Sequence, residues 1–221
     1  MSEAGTDHRG ARKRRLNKFG AGGLFFATLL SSGLEADSAD RPSSLAAVEE
    51  YSAPSTWNAS LIGVRPEDWQ ARDWINSQPL TLDSLRGRVV LVRWWTSPGC
   101  PFCQASAPAL NEFWERYRRR GLMVIGLYHH KSSAPLTAAH VVEQVRKLGF
   151  EFPVATDPEW ATLRRWWLDQ NDNGWTSVTI LLDRQGRVRY VHPGGAFFKG
   201  EPGYEALEKK IEALLAEPAG P

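Results

Sequence analysis

Long apolar runs and single-face apolar stripes alternate along the second half of this chain. Val89-Val90-Leu91-Val92-Arg93-Trp94-Trp95 has the length and composition of a strand, and Leu110, Phe113, Trp114 and Tyr117 then mark one face of a helix that Gly121 stops. Leu122 to Tyr128 is continuously apolar, as a buried strand is. Val141, Val145 and Leu148 give the next helix its stripe, which Gly149 ends, and Phe152-Pro153-Val154 reads as a short strand. Asp157-Pro158 predicts a helix start, Asp as N-cap and Pro at the first helical position, with the helix reaching about Leu168. Val178 to Asp183 and Arg187 to His192 flank Arg184-Gln185-Gly186 as a β-hairpin, and Tyr204, Leu207, Ile211, Leu214 and Leu215 form a final amphipathic helix. The order βαβαβαββα calls for right-handed crossovers and a parallel core, to which the hairpin adds antiparallel strands. The predicted class is α/β, a central mixed sheet with helices on both faces. Upstream, Leu80 to Gly87 reads as a short strand and turn, and residues 52–73 as an extension packed on the domain edge.

The chain's two cysteines, Cys100 and Cys103, fall between the Val89 strand and the following helix. That placement suits dithiol–disulfide chemistry. The first thiol sits at the positive end of a helix dipole, which favours its thiolate, and the second lies about one turn further in. Structural zinc normally takes four Cys/His ligands, and no second CxxC or His pair at the three-to-five-residue spacing of a zinc site follows. A structural disulfide across so small a loop would constrain little chain. Redox work is the preferred reading.

Hydrophobic content of 42% and charged content of 24% are those of a globular protein. The net charge of +2 is uneven: residues 1–18 hold six Lys/Arg against Glu3 and Asp7, which leaves the remainder slightly acidic. Such a body has no electrostatic footprint for nucleic acid. After Lys18, Phe19 to Leu34 runs without charge, and small residues follow at Ser31-Ser32-Gly33 and Ala36 to Ala39. This is the layout of an export signal, with a twin-arginine-like Arg14-Arg15, or of an uncleaved anchor that is slightly short to span a membrane. The expected organisation is a signal or membrane anchor over 1–39, a linker and extension over 40–73, and a redox domain over 74–216. Export would place the dithiol in an oxidising compartment, periplasmic or facing the periplasm, where a partner sets its redox state.

The chain resembles the thioredoxin-like proteins of the TlpA/ResA group in the redoxin superfamily. The likeness covers about residues 74–216. It rests on Leu85-Arg86-Gly87-Arg88-Val89, Cys100-Pro101-Phe102-Cys103, Ala107-Pro108-Ala109-Leu110, Phe152 to Asp157, and Leu181-Leu182-Asp183-Arg184-Gln185-Gly186. It implies a thioredoxin-like fold and an exported, often membrane-tethered bacterial thiol–disulfide oxidoreductase. Such a protein needs no cofactor beyond its redox-active disulfide; it acts on protein thiols or disulfides and is served by a membrane or periplasmic electron donor. Cys100 is then the exposed nucleophile, Cys103 the buried resolving thiol and Pro108 a helix-kinking proline, with Pro101-Phe102 similar to the Pro-Tyr pair of glutaredoxins. Three departures stand out. Ser177 occupies the family's cis-proline position, so the loop Trp175-Thr176-Ser177 presents its backbone differently. Arg93 stands where an acid or amide is common, and either stabilises the Cys100 thiolate or points outward to pair with an acid. Ser106 replaces a glutamate found in some relatives.

His129 and His130 leave the second parallel strand at the same sheet end as Cys100, and the hairpin returns His192 there. With Cys100 and Cys103 they are weak metal candidates, as in the Sco-type copper chaperones; surface loop positions are the preferred reading. Trp175 is assigned chiefly to packing, with a substrate groove as its other role. A peroxiredoxin-like peroxidase is a further alternative, since Ser97 stands three residues before Cys100, although Arg93 takes the place of the proline that chemistry wants.

Overall fold

The computed structural model describes residues 58–170 and 174–218. The signal or anchor read over 1–39, and the linker and extension up to residue 57, lie outside the described residues. Six strands form one sheet: β1 Arg72–Ile75, β2 Val89–Trp95, β3 Leu122–Tyr128, β4 Val154–Thr156, β5 Thr179–Leu182 and β6 Val188–His192. Among the described residues four α-helices accompany them: α1 Pro101–Tyr117, α2 Ala138–Leu148, α3 Ala161–Trp166 and α4 Pro202–Ala216. The order across the sheet is β1-β4-β3-β2-β5-β6. The strands β2, β3 and β4 are parallel, β5 runs antiparallel to β2, and β6 and β1 are antiparallel edge strands. From β2 onward this is the predicted βαβαβαββα order.

Alternation along β2 sorts the core into two layers. Val89, Leu91 and Trp95 pack with α1, α2 and α4, whereas Val90, Val92 and Trp94 pack with α3 and the segment from Trp69 to Leu85. The step from β2 to β3 and the step from β3 to β4 run the same way across the sheet, so right-handed crossovers put α1 and α2 on one face. Gly126 in β3 allows a tight fit there: a Cβ would sit 3.0 Å from the Trp95 indole nitrogen and 3.2 Å from Phe152 and Val154. Gly121 and Gly149 both adopt the left-handed conformation that ends a helix, as expected. Among the described residues, no helix is long and apolar enough to cross a membrane.

Three local expectations need correction. Leu80 to Leu82 is not a strand, because its polar groups are taken by side chains. Thr81 and Ser84 exchange side-chain and backbone hydrogen bonds around a 3-10 turn over Asp83–Leu85, and Leu80 O accepts from the Trp69 indole at 2.7 Å. The edge strand comes instead from Arg72–Ile75. The strand expected at Phe152 begins two residues later, at Val154, because Pro153 has no N–H to give a ladder.

The helix expected from Pro158 is also broken. Glu159 and Trp160 adopt left-handed φ values of 51° and 60°, which separates a 3-10 turn from α3 at Ala161. The buried Asp157 carboxylate reaches past the break to accept from the amides of Thr162 (2.9 Å) and Leu163 (2.8 Å). It also accepts from the Trp94 indole at 2.8 Å, which ties the helix start to the central strand.

Candidate active site

The strand β2 delivers Thr96-Ser97-Pro98-Gly99 to the start of α1, where Cys100 is the N-cap and Pro101 the first helical residue. Pro is suited to that position because the missing N–H has no helical partner there. The sulfurs of Cys100 and Cys103 are joined in a disulfide with Cα atoms 5.3 Å apart, and Cys100 Sγ also accepts from the Cys103 amide at 3.1 Å. Cys100 is partly exposed, whereas Cys103 is only 2% exposed and belongs to the core. An incoming sulfur can therefore reach the first cysteine and not the second. No acidic side chain lies in the first turn of α1, so nothing there offsets the positive end of the helix dipole. The helix runs through Pro108 to Tyr117.

Beside Cys100 lies a groove of about 510 Å³ lined also by Phe102, Lys131, Gly174, Trp175, Thr176 and Ser177. Trp175, expected to serve packing, is 48% exposed and meets Phe102 edge-on at 5.6 Å between ring centres. The loop carrying Trp175 is held from below, since its carbonyl accepts from the Trp167 indole at 2.7 Å. Ser177 is buried, and its hydroxyl accepts from the Gly195 amide at 3.2 Å. Among the described residues the Ser97–Pro98 bond is the one cis peptide, so Ser177 follows a trans bond.

Of the two alternatives for Arg93, the outward, acid-paired one does not hold. Arg93 is fully buried on the α1 side of the sheet. Its guanidinium donates to the Ser177 carbonyl, to Thr179 Oγ1 at 3.1 Å and to the Gly195 carbonyl at 3.0 Å, and lies 5.1 Å from the centre of the Phe197 ring. One fork thus joins the groove loop to the loop after β6, which a lysine's single ammonium does less well. Ser106, standing where some relatives have glutamate, links the same loop to the motif. Its hydroxyl donates to the Phe102 carbonyl at 2.8 Å and accepts from the Phe197 amide at 3.1 Å.

The histidines also differ from expectation. His129 and His192 are fully buried rather than surface loop residues. Burial, followed by the charges of Lys131 and Arg93, pulls His129 down to about 3; burial and then Arg93 do the same to His192. Both rings are therefore neutral at pH 7. His129 packs edge-on against Trp160 at 5.3 Å and His192 against Phe197 at 5.2 Å. His130 has Nε2 2.6 Å from the Ala134 carbonyl. Among the described residues no three His, Cys, Asp or Glu side chains gather as metal ligands, so the imidazoles do not assemble around the two sulfurs. Ser97, the hydroxyl that a peroxide pocket would use, is turned to Gln144 at 2.8 Å.

This burial has a measurable consequence. In the unfolded chain histidine binds a proton near pH 6.5, whereas in the fold these two do not until about pH 3. Below pH 6.5 the unfolded state therefore holds more protons, and stability falls as pH falls. Urea unfolding is expected to lose about 2 kcal/mol between pH 6.5 and 5.5, above the range in which carboxylates titrate. His192→Gln should remove about half of that slope.

A thioredoxin-like sheet with a helix-capping disulfide beside an open groove defines a class of dithiol proteins. The redoxin family model matches residues 75–206, and the chain belongs to that family. Among curated relatives, Protein DipZ of Mycobacterium tuberculosis (strain CDC 1551 / Oshkosh) is 29% identical over 156 residues, covering 69% of this chain and 21% of DipZ. The chain thus spans about a fifth of that protein. Thiol-disulfide oxidoreductase YkuV of Bacillus subtilis is 26% identical over 69% of this chain and 94% of its own length. Among solved structures, a putative thiol:disulfide interchange protein DsbE from Chlorobium tepidum superposes with TM-score 0.58 at 25% identity, over 70% of this chain and 98% of the other.

Lys131, Trp160, Trp167, Gly195 and Phe197 are the site residues that sequence reasoning passed over. Trp160 and Trp167 carried no signal beyond packing, because an indole N–H aimed at a loop carbonyl looks in sequence like any core tryptophan. The Trp160 indole donates to the His130 carbonyl at 2.8 Å, and so holds the loop that carries Lys131.

Proposed function

We propose that this protein is an exported thiol–disulfide oxidoreductase acting on protein disulfides. The observation that carries the reading is the asymmetry of the pair: Cys100 at the edge of an open groove and at a helix N-terminus, Cys103 bonded to it from the core. In the reduced protein the Cys100 thiolate attacks one sulfur of a substrate disulfide, and the other substrate sulfur leaves as a thiolate. The Cys103 thiolate then attacks Cys100 Sγ and expels the second substrate sulfur. The substrate gains two electrons, and the protein is left with the intramolecular disulfide. A dithiol donor restores the reduced form, and with an oxidising partner the same steps run in reverse.

Trp175, Thr176 and Ser177 line the groove in which the substrate chain would lie, with Phe102 as its apolar wall. Arg93, Ser106 and Pro108 support the reacting groups and do not touch substrate. The basic stretch before Phe19 and the apolar run after it support export. Names of relatives that include thiol-disulfide oxidoreductase and disulfide interchange support the chemistry.

Titration of Cys100 in the reduced protein, together with its reduction potential against glutathione, tests this reading. A thiol pKa well below the ordinary 8.5 or so and reduction of insulin by catalytic amounts of protein are expected. A Cys100 of ordinary pKa with no insulin reduction would overturn it. A potential near the oxidising end would assign the oxidase direction.

A further inference from the structure

Charge is distributed unevenly around the groove. Among the described residues that line it, Lys131 is the one charged side chain and none is an acid. Burial lowers its ammonium pKa. The Trp160 ring lies 6.0 Å below the ammonium and supports it from the protein side. The buried Arg93 guanidinium sits behind the groove loop, and the positive end of α1 points into the same space at Cys100. Three sources of positive potential therefore converge where a substrate chain would rest. An acidic partner there replaces water around a partly desolvated ammonium, which strengthens the pairing.

Building on the exchange reading above, we propose that Lys131 is a specificity-determining residue that receives a carboxylate close to the reacting sulfur. The preferred substrate is a disulfide whose cysteine has Glu or Asp within one or two residues. Its apolar flank rests on Phe102 and Trp175, and its acidic flank on Lys131. The same cysteine in a basic local sequence is disfavoured, because a second cation would enter a groove already held positive.

Matched short peptides with Glu, Gln or Lys beside the cysteine test this in two arms. In the first, the cysteine is S-methylated so that no exchange occurs, and binding to the oxidised protein is followed by NMR shifts. In the second, the homodisulfides are substrates for the reduced protein and kcat/KM is measured. The Glu peptide is expected to bind and react about fivefold better than the Gln peptide at low salt, the upper end for a partly exposed ion pair. Lys131→Met should bring that ratio to about one and Lys131→Arg should keep it, while added salt shrinks it. A ratio near one in the unaltered protein, or a preference unchanged in Lys131→Met, overturns the proposal. A preference seen with methylated peptides while none of the disulfides is reduced upholds the carboxylate subsite and overturns the exchange reading.

Discussion

Cys103→Ser is expected to stop turnover and accumulate a covalent adduct between Cys100 and one half of the substrate. A hydroxyl at that position is not ionised at neutral pH, so nothing expels the second substrate sulfur from Cys100. Disulfide reduction should fall by at least about a hundredfold, while the adduct gains one substrate half in intact mass and is released by excess dithiol. Cys100→Ser should lose the same activity and form no adduct, because the remaining thiol is 2% exposed. Normal turnover by Cys103→Ser would mean that one thiol suffices, and the two-step exchange would be wrong. The fold should survive either change. The Cys103 side chain is small, and its lost disulfide closes a loop too short to stabilise much.

Arg93→Met is expected to cost about 3 kcal/mol of unfolding free energy, a fall of about 6–12 °C in Tm for a domain of this size. The guanidinium is the shared donor for the Ser177 and Gly195 carbonyls and for Thr179 Oγ1. Methionine fills much of the volume but leaves those acceptors without it, and each buried orphan costs about 1–3 kcal/mol. Relief of the buried charge offsets part of that cost. Disulfide exchange should drop about tenfold as the groove loop loses its anchor.

A second readout separates charge from packing. Arg93 is among the charges holding His129 and His192 neutral, so both imidazoles should titrate at higher pH in Arg93→Met. Arg93→Lys keeps the cation, and its histidines should stay close to their original range while stability still falls. Unchanged histidine titration in Arg93→Met would show that the Arg93 charge has no part in holding them neutral.

Much of this molecule is legible in one dimension. Continuous apolar runs at Val89 and Leu122, single-face stripes in the helices, and glycines at 121 and 149 report burial and chain reversal directly, because each is a local consequence of residue type. The CxxC belongs with them: strand before, helix after, and the placement of both sulfurs follows. Where the reading failed, a distant partner decided the outcome. Leu80–Leu82 has strand-like composition, yet its backbone groups are taken by Trp69 and Asp68. Asp157 is an N-cap in sequence, but its carboxylate serves a helix that begins four residues later and a strand 63 positions earlier.

The alternation of strand and helix and the seat of the redox pair follow from spacing and residue type alone, whereas the exposure of Cys100 over Cys103 was implied by the resemblance to the TlpA/ResA group. The folded sheet was needed to reveal that Arg93 turns inward to join two loops, that His129 and His192 are buried and neutral, and that Lys131 shares a groove with Cys100. Each of those depends on which side chains converge from separate strands, and on the loss of water where they meet. Solvation of that kind belongs to the assembled sheet and not to any one segment.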